Sequence, residues 1–155
     1  MYRYAAQDVD PEVTARAVAR DSPVKPKFAV NVARAIRGKP VPKARSFLEG
    51  VIALERAVPF VTHNRNVKHR KGGIGPGRFP VNAAKAFLAV LKNAENNAEY
   101  KGLDPERMVV KHSVAHRAAP IPGYMPRAQG RATPWNKSTS HIEIVLSERK
   151  KNKEE

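Results

Sequence analysis

Apolar residues recur along this chain in two rhythms, an alternating one towards its ends and a helical one between them. Val13 to Arg20 alternates small apolar and polar residues as a half-buried strand does, although Asp10-Pro11-Glu12 also has the form of a helix start. Ser22-Pro23 reads as an N-cap with proline in the first turn, and Phe28, Val32 and Ile36 mark one face of a helix stopping at Gly38. Pro40 and Pro42 open a second helix. Its stripe is Phe47, Leu48, Val51, Ile52 and Leu54, it ends before Pro59, and Lys43, Arg45 and Arg56 form its polar side. The strongest helical pattern follows Pro80, through Val81, Ala84, Phe87, Leu88, Leu91, Ala94 and Ala98 to Gly102.

After the turn signal Asp104-Pro105, Met108, Val110, His112 and Val114 alternate with Val109, Lys111, Ser113 and Ala115, which predicts a strand. A second strand is predicted where Ile142, Ile144 and Leu146 alternate with His141, Glu143 and Val145. Strands from both ends with helices between them predict an α+β fold, a small antiparallel sheet covered by helices. The charged stretch from Arg149 to Glu155 is expected to fray.

Two segments fall outside that body. Residues 62–79 hold few apolar side chains and read as a basic loop. Residues 115–140 join two strands that should pair, yet ordinary hairpin loops span roughly 2–5 residues. Pro120, Pro122, Pro126 and Pro134 oppose helix there, so the segment is expected to be an extended two-stranded arm with its tip near Gln129-Gly130-Arg131.

Composition sharpens this picture through charge. The chain has 155 residues, the length of one domain, and carries 29 Lys and Arg against 14 Asp and Glu, a net +15. Residues 34–79 hold eleven basic groups and two acidic ones, and residues 111–141 hold five basic groups and no acid. The remaining stretches are close to balance. Carboxylates facing a phosphate backbone would repel it, so two long blocks nearly cleared of them point to a polyanionic partner, a folded RNA above all. The candidate RNA contacts in the first block are Arg34, Arg37, Lys39, Lys43 and Arg45, then Arg65, Lys68, Arg70, Lys71 and Arg78 in the loop. In the second block they are Lys111, Arg117, Arg127, Arg131 and Lys137.

Other chemistries find little support. With no cysteine, disulfides, thiolate metal sites and a cysteine nucleophile are excluded. Gly72-Gly73-Ile74-Gly75-Pro76-Gly77 lacks the Gly-Lys-Ser/Thr ending of a nucleotide-binding loop. His112 and His116 share a strand face, and His63 and His69 flank the loop, but no carboxylate stands close to either pair in sequence, so neither a metal nor a cofactor is expected. Glu49 and Glu55, the carboxylates inside the first block, are explained as helix partners for lysine or arginine, and no nucleophile–base set is evident, so an enzyme is not expected. Aromatic side chains are few in the basic blocks, with Tyr124 and Trp135 in the arm and Phe60 and Phe79 at the loop's edges. Shape and phosphate recognition therefore fit better than single-strand stacking. The first ten residues are polar and the apolar runs are short of a membrane span, so a soluble, cytoplasmic protein with no membrane partner is expected. A free regulatory or chromatin-type binder of DNA or messenger RNA is the main alternative, and an RNA-processing enzyme the second.

The stretch Pro126-Arg127-Ala128-Gln129-Gly130-Arg131-Ala132, followed by His141-Ile142-Glu143-Ile144-Val145-Leu146, resembles the signature of the universal large-subunit ribosomal protein twenty-two family. Ile36-Arg37-Gly38-Lys39 and Asn93-Ala94-Glu95-Asn96-Asn97 match that family's first and last helices, and the likeness runs from about Ala15 to Glu148. The insertion from His63 to Arg78 and Pro134-Trp135-Asn136-Lys137 resemble its archaeal and eukaryotic branch. The resemblance implies a body of three helices and a three-stranded antiparallel sheet, with a long protruding β-hairpin. It implies a body at the outer end of the nascent-peptide tunnel, in contact with large-subunit ribosomal RNA and neighbouring ribosomal proteins. It also implies a hairpin that lines the tunnel beside the nascent polypeptide, its tip formed by Arg127, Ala128, Gln129, Gly130, Arg131 and Ala132.

An arm of this kind buries too little surface to offset its ordering entropy. In hydrogen–deuterium exchange on the isolated protein, amides of residues 115–140 are expected to exchange much faster than those of the predicted helices. Uniform protection of the two would contradict it.

Overall fold

Strands from opposite ends of the chain meet because each has an apolar face that needs the same helices to cover it. A computed structural model describes residues 4–7 and 9–148. In chain order the elements are β1 (Thr14–Ser22), α1 (Pro26–Ile36), α2 (Val41–Ile52), β2 (Val58–Pro59), β3 (His69–Arg70), β4 (Gly75–Arg78), α3 (Val81–Tyr100), β5 (Met108–Arg117), β6 (Tyr124–Pro126), β7 (Ala132–Pro134) and β8 (Ser140–Glu148). The main sheet has the order β1-β8-β5, with β8 antiparallel to both neighbours. The predicted α+β architecture is present, helices on one face of the sheet and a β6–β7 ribbon projecting from it. The predicted charged tail from Arg149 lies outside the described residues.

Register explains how the helices sit close. On the core face Leu146, Ile144 and Ile142 of β8 stand opposite Ala15, Ala17 and Ala19 of β1. On the other flank they face Val110, Ser113 and Ala115 of β5. Large side chains in the central strand thus alternate with small ones at both edges, leaving room for α3 against β1 and β8 and for α1 against β5. Phe87, Leu91 and Ala94 of α3 join Val32 and Ile36 of α1 and Leu48 and Val51 of α2 in one buried cluster. Each fully buried Leu, Ile or Phe contributes roughly 1.5–3 kcal/mol.

Several boundaries differ from the expected ones. Helix α1 begins at Pro26 behind an N-cap at Lys25, whereas Ser22 ends β1 opposite Ser140 and its neighbour Pro23 lies in the connection. Backbone pairing had claimed the residue that capping chemistry suggested. The α2 stripe stops at Ile52, and Leu54 is 60% exposed at φ 65° in the turn beyond it. Residues 62–79 are more than a loop, since their β3 and β4 join β2, just before them, in a small sheet of order β2-β4-β3. In β5 the register shifts between Val110 and His112, so the alternation breaks at Lys111 and Ser113, not His112, joins Val110 on the core face.

The outer face of the sheet is also covered. Val145 and Glu143 are buried there, and Ala5 N–H donates to the Glu143 carboxylate at 2.9 Å. Arg16 donates to the Val9 carbonyl at 2.8 Å, and its guanidinium lies 5.7 Å from the Tyr4 ring centroid. His116 Nε2 stands 3.5 Å from Glu143, so a carboxylate does lie beside the His112/His116 pair in space, supplied by a strand distant in sequence. Even so, among the described residues no group of three or more His, Asp or Glu is placed to hold a metal.

Burial and then the Arg37 guanidinium hold His112 below the ordinary imidazole value of 6.5, with Glu143 pulling the other way. The unfolded chain therefore takes up a proton before the folded chain does, and stability falls as pH drops from that value through the lower folded one. The Tm of the isolated protein is expected to fall more between about pH 7 and about pH 5 than that of His112→Gln. Equal losses would contradict this assignment.

Candidate RNA-binding surface

The first basic block is organised around the corner between α1 and α2. Gly38, at φ 77°, donates its N–H to the Val110 carbonyl at 2.8 Å, and Val110 N–H returns a bond to Lys39 O at 2.9 Å. Glycine suits that left-handed conformation, and the reciprocal bonds stitch the corner to β5. Arg37 reaches across to the Ser113 carbonyl at 2.8 Å. The two basic blocks, far apart in sequence, therefore meet at this seam, beside the bulged Lys111.

Arg34, in the last turn of α1, and Lys43, on α2, are exposed. Lys39 is half-buried, with its ammonium 4.0 Å from the Phe47 ring centroid. Arg45 pairs with Glu95, a carboxylate 4% exposed on α3, so part of its charge is already neutralised within the body.

The 62–79 segment is anchored from beneath. Asn31, 1% exposed in α1, accepts from the N–H groups of Val61 and Thr62 at 3.1 and 3.2 Å. Its amide nitrogen donates to Thr62 O at 3.0 Å and Lys27 O at 2.8 Å. Arg70 donates to Gly77 O at 3.2 Å and lies 5.1 Å from the Phe79 ring centroid. Arg78 stands 5.8 and 5.9 Å from the rings of Phe28 and Phe60, which pack edge to face. These rings fix the cations while leaving them exposed, each such contact being worth about 0.5–1 kcal/mol. Arg65, Lys68 and Lys71 are exposed along the outer part of the segment.

The second block forms the arm. Beyond β5 and β8 the chains stay paired through Ala118 N–H to Thr139 O at 3.1 Å, the Ile121–Lys137 bridge, and β6 against β7. Gly123 is required where the strands approach, since a Cβ there would lie 2.7 Å from Trp135 O. The tip closes with Arg127 N–H donating to Arg131 O at 2.8 Å, over left-handed Gln129 (φ 61°) and Gly130 (φ 68°). Arg117, Arg127, Arg131 and Lys137 are all exposed, as are Tyr124 (75%) and Trp135 (59%).

The burial of Asn31, Glu95 and Glu143 escaped the sequence reading. A lone Asn in a helical pattern looks like a surface residue, and the groups that make it buried lie some thirty positions away. Gly50, an isolated glycine within a helical pattern, marks a special packing position that the apolar stripe alone passes over.

A helix-covered sheet thus carries a basic insertion and a long hairpin without carboxylates, two acid-poor surfaces on one body. The family described as Ribosomal protein L22p/L17e matches residues 17–147. Large ribosomal subunit protein uL22 of Methanopyrus kandleri is 48% identical over 151 residues, 96% of this chain and 95% of its own. The protein of the same name from Methanothrix thermoacetophila is 52% identical over 136 residues, covering 86% and 90%. That of Ignicoccus hospitalis is 44% identical over 144 residues, covering 90% and 91%. The chain belongs to the ribosomal protein L22p/L17e family. It is a structural, non-enzymatic protein of the large ribosomal subunit.

Replacing Asn31 by Leu leaves the Val61 and Thr62 amides without their acceptor. This is expected to lower stability by about 1–3 kcal/mol in urea unfolding and to speed proteolysis within 62–79. Unchanged stability together with unchanged cleavage would contradict the anchoring role.

Proposed function

We propose that this protein binds and stabilises large-subunit ribosomal RNA through its two basic blocks, with the hairpin lining the nascent-peptide exit tunnel. The lysines and arginines of residues 34–79 replace counterions and bridge separate RNA helices. The hairpin reaches inward, its tip from Arg127 to Ala132 foremost, with Arg131 set against phosphate or the tunnel lumen. Neighbouring large-subunit proteins and the passing nascent polypeptide are its further partners, in the cytoplasm.

One observation carries this reading. The arm is exposed along most of both strands, has no carboxylate, and carries Arg117, Arg127, Arg131 and Lys137. A segment so little buried draws scant stability from its own body, and its charge fits a polyanion that surrounds it. Family membership supports the same assignment. A free regulatory or chromatin-type binder is the alternative, and a sucrose gradient separates the two. The protein travels with large subunits on the first reading and stays near the top on the second.

Binding of the isolated protein to transcribed large-subunit RNA is expected to weaken steeply with salt, each contacted phosphate contributing roughly 0.7–0.9 to the log–log slope. A flat response would count against phosphate recognition.

A further inference from the structure

An open cleft of about 540 Å³ lies beside α2, lined by Lys39, Pro42, Lys43, Ser46, Phe47 and Arg56. None of these is acidic, and three are cations. Arg56 lies outside the residues singled out from sequence as RNA contacts. Its position is built by the turn after α2, where Leu54 adopts φ 65° and the N–H groups of Glu55 and Arg56 both donate to Gly50 O, at 2.9 and 3.0 Å. The chain thereby folds back and lays the Arg56 stem across Gly50. A Cβ at position 50 would stand 3.0 Å from Arg56 Cδ and 3.1 Å from its Cγ.

Glycine inside a helix is unfavourable, and here it makes room for the stem of an arginine that lines the same cleft as Lys39 and Lys43. Burial and then Arg56 push the Lys39 ammonium below its ordinary pKa. Phe47 meanwhile holds that ammonium in place, 4.0 Å from its ring centroid. Helix propensity and like-charge repulsion are thus both set aside at one spot. The arrangement becomes favourable when an anion enters the cleft and offsets both cations.

We infer that this cleft seats a phosphate group of the RNA backbone, held by Lys39, Lys43 and Arg56, with Gly50 and Phe47 as positioning residues. The inference rests on the RNA-binding reading above and adds to it a particular site.

The test uses the full chain and transcribed large-subunit RNA in filter binding across a salt series. Arg56→Gln and Lys39→Gln are each expected to weaken binding about tenfold and to make the log–log slope shallower by roughly 0.7–0.9. Lys92→Gln, exposed on α3 away from the cleft, keeps the wild-type slope. Gly50→Ala, which displaces Arg56, is expected to bind more weakly while its Tm is unchanged or higher, a split that a purely structural role would not produce. Wild-type binding with Arg56→Gln and Lys39→Gln indistinguishable from it would overturn this site alone. Failure of the wild type to bind RNA would overturn the underlying reading and the site with it. Lysine acylation read by mass spectrometry gives the second arm. Protection of Lys39 by RNA supports the site, whereas protection only in whole subunits overturns it in favour of an acidic neighbouring protein.

Discussion

Uncompensated positive charge is the constraint around which this molecule is arranged, because a net +15 on 155 residues opposes compaction unless the cations are kept outward and apart. The fold handles this by separating the signs. Glu95 and Glu143 are drawn inside, one against Arg45 and the other beneath the N-terminal segment beside His116. The cations of the first block stay at the surface, where carbonyl oxygens and aromatic rings hold several of them: Arg37 on Ser113, Lys39 on Phe47, Arg70 on Phe79, and Arg78 between Phe28 and Phe60. Neutral partners position a guanidinium without cancelling its charge. On the proposed reading, that is what a surface receiving phosphates requires.

The same logic links the body to the arm. The seam between the α1–α2 corner and β5 brings the two acid-poor blocks together where Arg37 meets Ser113, beside the Gly38 and Lys39 bonds to Val110. From there the arm leaves the core as a continuation of β5 and the strand that returns as β8, with β6 and β7 extending the pairing towards the tip. Its strands are held by backbone hydrogen bonds to each other, but its side chains find little to bury against. The body is therefore stable by packing, and the arm draws its order from hydrogen bonds between its strands and, on the proposed reading, from RNA.

Periodicity made the three helices and the paired terminal strands legible, because those elements bury a face and the burial imposes spacing. The arm was legible for the opposite reason, through prolines and missing acids where a short turn would have sufficed. What stayed hidden depends on contacts distant in sequence. Alternation could not reveal the irregularity at Lys111, which exchanges Ser113 for His112 on the core face. The small sheet that the 62–79 segment forms with β2 is built from Val58–Pro59, His69–Arg70 and Gly75–Arg78, whose glycines and prolines run against strand propensity, and Asn31 fastens the start of that segment from another element. Of the surface cations, composition identified the blocks, whereas their posture came from the rings and carbonyls beneath them. Arg56 was hidden because its role depends on a turn and a glycine that only the folded chain brings together.

The most direct test of the account is photocrosslinking from residue 131 at the arm's tip and residue 68 on the insertion, inside assembled large subunits, with adducts mapped by RNA sequencing. Discrete crosslinks to ribosomal RNA at both positions are the predicted result. Reproducible absence of RNA adducts at both, in particles shown to contain the protein, would mean that these acid-poor surfaces face something other than phosphate.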